Sequence, residues 1–160
     1  MRTIEKTVYL FSELSDSAKQ NARDWWRIRF DLCDSWAAEY LDSIMAFCEH
    51  FGVTLKDYSV GAWSSIDYKH DADNSNFRGI KLKSVNRGAM PTGFCADCDL
   101  WMTFHDEFKR TGAALQSFDS ALHAGFKAWR YDLEWQQSDE YIDDLIEMNE
   151  YEFTEAGERV

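Results

Sequence analysis

Positive charge is scarce in this chain. Seventeen Lys and Arg stand against 29 Asp and Glu, a formal net charge of −12, and the pI is near 4.6. Direct binding to nucleic acid is excluded, because displacing counterions from phosphates needs cationic side chains. An anionic membrane surface is excluded as a partner on the same ground. Long apolar runs are missing too. No stretch approaches the ~18 residues of a membrane span, and the mean hydropathy is −0.51. The opening Met1-Arg2-Thr3-Ile4-Glu5-Lys6 has no apolar segment of the kind a secretory signal carries, so a cytoplasmic protein is expected. Proline occurs once, at Pro91, and glycine eight times. There is no Ser/Gly linker, low-complexity tract or fixed-period repeat. Residues 1–160 are therefore expected to form a single domain.

Aromatic side chains are abundant: 16% of the chain, with seven Trp and eleven Phe. That is enough to bury a sizeable core, and it excludes disorder. Residues 3–11 (TIEKTVYLF) are rich in β-branched and aromatic residues and predict a strand. Ser15 is placed to cap a helix over 16–31, with Ala18, Ala22, Trp25 and Leu32 at helical spacing. Ala37, Tyr40, Leu41, Ile44, Phe47, Cys48 and Phe51 predict a second helix, capped by Asp34 or Ser35 and closed by Gly52. Residues 53–70 shift to period 2, which predicts one or two strands broken near Gly61, and 71–78 is a loop by composition. Strands are expected at 79–85 and 99–106, with a loop over 86–98 between them. A long helix is expected over 113–136. Ser138 caps another over 139–149, followed by a short strand from Tyr151 and a turn at Ala156-Gly157. This order predicts an α+β domain, a mostly antiparallel sheet packed by about four helices.

Cysteine carries the first candidate chemistry. Cys95-Ala96-Asp97-Cys98 has the spacing of a tetrahedral zinc half-site, and His105 follows seven residues on. Cys33 and Cys48 sit in or beside predicted helices, where small apolar side chains belong. A redox C-x-x-C opens a helix, whereas this one precedes a strand-like run. Asp71 to Asn76 resembles the start of a calcium loop, but Asn76 stands where glycine is needed and Leu82 where a bidentate Glu is needed. Cys95 with His105 and Asp106 would make a poor triad, since neighbours on a strand point apart. No nucleophile elbow, P-loop or dinucleotide fingerprint occurs. A non-catalytic protein without a cofactor is expected, and a small zinc-dependent enzyme around Cys95, Cys98 and His105 is the alternative that metal chemistry would allow.

The acids are unevenly placed. From Glu134 to Val160 there are ten, against the single base Arg159. Asp139, Asp143 and Glu147 recur at i, i+4, i+8 with Glu140 and Asp144 beside them, opposite Tyr141, Ile142, Leu145 and Ile146. Like charges at i, i+4 repel by a few tenths of a kcal/mol per pair. Such a face either keeps the protein soluble or recognises a basic surface. Carboxylates in rows ~6 Å apart on a helix can occupy Arg and Lys sites that otherwise hold phosphates. Trp135 falls off the main apolar stripe and can serve as an interface anchor beside them.

Two motifs carry a resemblance. Phe11-Ser-Glu-Leu-Ser-Asp-Ser-Ala-Lys-Gln-Asn-Ala-Arg-Asp-Trp-Trp26 resembles the F-x-E-L-S-x-x-A-K-x-x-A-R-x-W opening of a group of small acidic phage and prophage proteins. Tyr151-Glu-Phe-Thr-Glu-Ala-Gly-Glu-Arg-Val160 resembles the F-T-E-x-G-x-R close of the same group. About 26 residues at the two ends carry the likeness. It implies a mobile-element origin, the cytoplasm of a bacterial host and paired terminal strands, and it supplies no catalytic residue. Some members carry antitoxin labels. The combined expectation is an inhibitor of a basic or nucleic-acid-binding host protein, such as a defence nuclease. It would act by nucleic-acid mimicry through Asp139, Glu140, Asp143, Asp144, Glu147 and Trp135. The alternative is an antitoxin using the same surface against a cognate toxin.

Overall fold

Ser15 opens the first helix as its position requires. Its Oγ accepts the Ala18 N–H at 3.3 Å, and Asp16 places a carboxylate at the positive end of the helix dipole. Ser138 does the same for the last helix, accepting the Tyr141 N–H at 3.2 Å. The computed structural model describes residues 7–30 and 36–160. In chain order its elements are β1 (Tyr9–Leu10), α1 (Asp16–Arg29), α2 (Ala37–His50), β2 (Leu55–Ser59), β3 (Asp67–His70), α3 (Ala96–Thr111), α4 (Ala114–Gln136), α5 (Asp139–Met148) and β4 (Glu152–Phe153). They fall into two compact units, one within Met1–Cys33 and Trp135–Val160, the other within Asp34–Glu134.

The first unit is built from sequence-distant pieces. β1 pairs antiparallel with β4, Tyr9 opposite Phe153 and Leu10 opposite Glu152, as the terminal motifs imply. Phe11, Leu14, Ala18, Ala22, Ile142, Ile146 and Phe153 form its buried core. α1 contributes small residues to that core, so the large Ile142 and Ile146 of α5 can approach it closely. Trp25 packs edge-on against Tyr151 and Phe153, with ring centroids 5.4 and 5.9 Å apart.

The second unit is helical with one hairpin. α2 and α3 pack together, and Phe47 of α2 stacks on Phe118 of α4 at 5.3 Å. Gly125 lies inside α4 at a cost of about 1 kcal/mol against Ala. A Cβ there would come within 2.7 Å of Leu100 of α3, so glycine permits the close helix approach. β2 and β3 pair antiparallel, with a bulge between Leu55 and Asp57. Tyr68 lays its ring on Phe126 at 4.9 Å, which covers one side of the hairpin.

The α+β class holds, but a mostly antiparallel sheet does not. Five α-helices and two two-stranded sheets make up the described chain. The strand expected at 99–106 is part of α3, which buries Ala96, Asp97, Leu100, Trp101 and Phe104 at helical spacing. The strand expected at 79–85 is a turn and a short 3₁₀ segment, Leu82–Ser84, in which Ser84 Oγ donates to the Lys81 carbonyl at 2.7 Å. Alternation alone makes no strand when no partner edge is beside it. The loop at 71–78 is as expected: Asp71 accepts the Thr54 N–H at 2.7 Å, and Asp73 closes a turn with the Ser75 N–H at 2.6 Å. Residues 3–6 of the strand expected at 3–11, together with Leu32, Cys33 and the caps Asp34 and Ser35, lie outside the described residues, and of the rest Tyr9–Leu10 is strand while Phe11 begins a short 3₁₀ turn. Among the described residues no helix is long and apolar enough to cross a membrane.

Gly157 fixes the closing turn of the first unit. Its φ is +83°, and a Cβ there would collide with the Ala18 carbonyl. Gly157→Ala is expected to destabilise the protein by about 2–4 kcal/mol, since a left-handed non-glycine residue and a backbone clash coincide. Urea denaturation followed by tryptophan fluorescence measures this, and an unchanged midpoint would contradict it.

Candidate functional site

The acids of α5 divide into two sets. Arg23 and Arg27 stand one turn apart on α1, and Asp139 and Asp143 one turn apart on α5. Arg23 holds Asp143 through two parallel bonds, Nε to Oδ1 and Nη2 to Oδ2, both 2.6 Å. Its Nη1 reaches Asp139 Oδ2 at 3.4 Å. Arg27 donates to Asp139 Oδ1 at 2.5 Å and to the Gln137 carbonyl at 3.2 Å. The Arg23 side chain is only 18% exposed. Its hydrogen bond to Asp143 raises the guanidinium pKa further, against the opposing effect of burial. A bidentate pair in such a setting is worth more than a solvated surface pair.

Glu140, Asp144 and Glu147 follow at i, i+4, i+7 and are exposed. They lie on the side of α5 turned away from the buried Ile142 and Ile146 and form no ion pair among the described residues. The expected row of Asp139, Asp143 and Glu147 is therefore divided: Asp139 and Asp143 are directed at α1, and Glu147 faces solvent with Glu140 and Asp144. Trp135 is 46% exposed, with its ring against Tyr141 at 6.1 Å. Glu150, Glu152, Glu155 and Glu158 extend the exposed acidic run. The one base there, Arg159, is occupied by the backbone: Nη1 donates to the carbonyls of Glu152 and Val160 at 2.8 and 2.7 Å.

A hollow of about 200 Å³ lies at the end of this stripe, lined by Leu10, Phe11, Ser12, Ile146, Glu147, Glu150 and Tyr151. Leu10, Phe11 and Ile146 give its lining apolar parts, and Glu147 and Glu150 add two carboxylates. Glu150 has φ +52°, in the left-handed region, an unfavourable conformation for a non-glycine residue. The Glu150 N–H bonds the Glu147 carbonyl at 3.0 Å and keeps it there. Apolar walls with acids beside them suit a long basic side chain, whose stem is aliphatic and whose head is charged.

The cysteines are arranged differently from the sequence expectation. Cys95 is the N-cap residue of α3 and Cys98 lies in its first turn, so this C-x-x-C opens a helix. Both thiols are exposed, while Cys48 is buried. Burial first, and the charge of Asp71 second, push the Cys48 thiol up to about 12. Asp97, between the pair, is fully buried. Its Oδ2 accepts from Thr92 N–H, Thr92 Oγ1 and Gly93 N–H at 2.9–3.0 Å. A loop over 86–98, as read from the sequence, gives no sign of this clamp, which depends on the loop folding back onto α3. His105 is on α3 with Nδ1 3.1 Å from Asp106 Oδ1. Asp106 also accepts two bonds from Arg87 at 2.8 Å. Arg87 first, and His105 second, hold the Asp106 carboxyl well below the usual range. Cys95, Cys98 and His105 are not gathered into one ligand set. Among the described residues, no three His, Cys, Asp or Glu side chains are grouped to hold a metal ion.

No family model matches the chain. Comparisons with curated proteins and with solved structures likewise find no match. The functional reading therefore rests on the geometry and on the resemblance carried by the two terminal motifs.

Two expectations test this geometry. Arg23→Met keeps an apolar stem but leaves Asp143 without its bidentate partner. It is expected to lower stability by about 1–3 kcal/mol in chemical denaturation; no change would show that the ion pair does not hold α5. Iodoacetamide followed by peptide mass mapping is expected to modify Cys95 and Cys98 in the folded protein and Cys48 only after unfolding. Equal modification of Cys48 in the folded state would contradict its burial.

Proposed function

We propose that this is a non-catalytic, phage- or prophage-encoded protein that inhibits a basic or nucleic-acid-binding protein of its bacterial host. It acts by covering a cationic groove with the outward face of α5. The observation that carries the reading is the division of the acids. Asp139 and Asp143 are neutralised within the unit and fix the helix, which leaves Glu140, Asp144 and Glu147 as a rigidly mounted, unneutralised stripe. A helix held on its inner side presents carboxylates at a regular spacing, and preorganised charge loses little freedom on binding. Long-range attraction to a basic partner would speed encounter, and salt would weaken it. The hollow beside Glu147 and Glu150 adds a seat for one Arg or Lys of the partner, and the half-exposed Trp135 an apolar anchor.

The test uses affinity capture from a bacterial lysate at low and high salt, identification of the captured protein, and competition by a short DNA duplex. The variant Glu140→Lys/Asp144→Lys/Glu147→Lys changes only exposed positions, so it is expected to fold normally. It should reduce capture at least about tenfold, in line with several interfacial charge pairs lost, while the duplex displaces the wild-type protein from its partner. Capture that survives the triple reversal, or that duplex DNA leaves untouched, would remove this reading.

A further inference from the structure

The head of α3 concentrates sulfur. Cys95 and Cys98 are three residues apart at the start of a 16-residue helix, a spacing that puts both side chains on one side of the turn. Both are exposed. The preceding loop brings Met90 back so that its Sδ lies 3.4 Å from Cys98 Sγ. That loop is fixed to the helix by the three hydrogen bonds into buried Asp97. Thr92 Oγ1 is in addition 2.9 Å from Ser43 Oγ of α2. Cys95 lies beside Tyr40, a buried side chain of α2. The three sulfurs are thus positioned by contacts that the acidic face does not use.

We propose that Cys95, Cys98 and Met90 form a binding site for Cu(I). Two thiolates and a thioether are soft donors, which favour a soft, low-coordinate cation over oxygen-seeking ions. A trigonal ion with metal–sulfur bonds of about 2.3 Å spaces its sulfurs roughly 4 Å apart. Cys98 and Met90 need to part by only about half an ångström to reach that spacing. Each thiol releases its proton to solvent as it binds the ion. Zinc is the poorer fit, since it takes four nitrogen, sulfur or oxygen ligands. His105 is seven residues beyond Cys98, about 10 Å along the helix axis, and its Nδ1 is engaged by Asp106.

The test is an anaerobic titration of the reduced 160-residue chain with Cu(I) against a chromophoric Cu(I) chelator, with Zn(II) in a parallel titration. One equivalent of Cu(I) is expected. Met90→Leu should weaken it about tenfold, and Cys95→Ser or Cys98→Ser at least about a hundredfold, with unchanged circular dichroism. His105→Ala should bind as the wild type does. The proposal is overturned if the wild-type protein fails to compete with the chelator, if Met90→Leu keeps full affinity, or if His105→Ala loses affinity. Tighter retention of Zn(II) than of Cu(I) would overturn it as well.

Discussion

The fork of Arg23 on Asp143 is the contact on which the arrangement of the first unit depends. It joins residues 120 positions apart in the chain, and Arg27 repeats the pattern one turn on with Asp139. Without the two guanidinium groups, the carboxylates at i and i+4 of α5 would repel each other at the margin of an apolar core. With them, Ile142 and Ile146 can seat against Phe11, Leu14, Ala18 and Ala22, because the charges at the border are matched. The same contact decides what α5 can offer to solvent. Once two acids are satisfied inward, the rotation of the helix is set, and the remaining three face outward as a group.

Local signals made much of the fold legible. Ser15 and Ser138 announced their helices because a serine cap satisfies a backbone donor that is otherwise orphaned. The apolar spacing from Leu115 to Leu133 left no other reading than a long helix. α3 was hidden by a short window. Leu100, Met102 and Phe104 satisfy a period of 2, while Leu100, Trp101, Phe104 and Phe108 satisfy one of 3.6. The deciding features lay outside 99–106: acids Asp97 and Asp99 in the first turn, Lys109 and Arg110 in the last, and Gly112 at φ +68° as the stop. The strand read into 79–85 failed for a different reason, since pairing depends on a neighbouring edge that local alternation does not reveal.

The candidate site was half legible. Charge asymmetry located the acidic segment, and helical spacing located its rows. What one row would meet was not visible, because the matching one-turn spacing of Arg23 and Arg27 gives no local sign of its destination. The thiols were lost along with α3. Placed before a strand, Cys95 and Cys98 look like loop residues; at the head of a helix, they share a face and the influence of its dipole. Asp97 escaped notice for the same reason. A buried carboxylate that collects three donors is meaningful only once the Thr92–Gly93 loop is known to fold over it.

The first unit is assembled from segments near the two ends of the chain, with about a hundred residues between them. During synthesis the strand at Tyr9 and the helix from Asp16 emerge early, yet the partners that bury their apolar sides come last. The Phe11, Leu14 and Trp25 side chains therefore wait uncovered on the ribosome, while the intervening segment can fold from contacts of its own. Any interruption of translation before Phe153 yields a chain whose early part is sticky and incomplete. The outward acidic face of α5 is held in place only once Ile142, Ile146 and Phe153 have joined the core begun by Phe11 and Leu14.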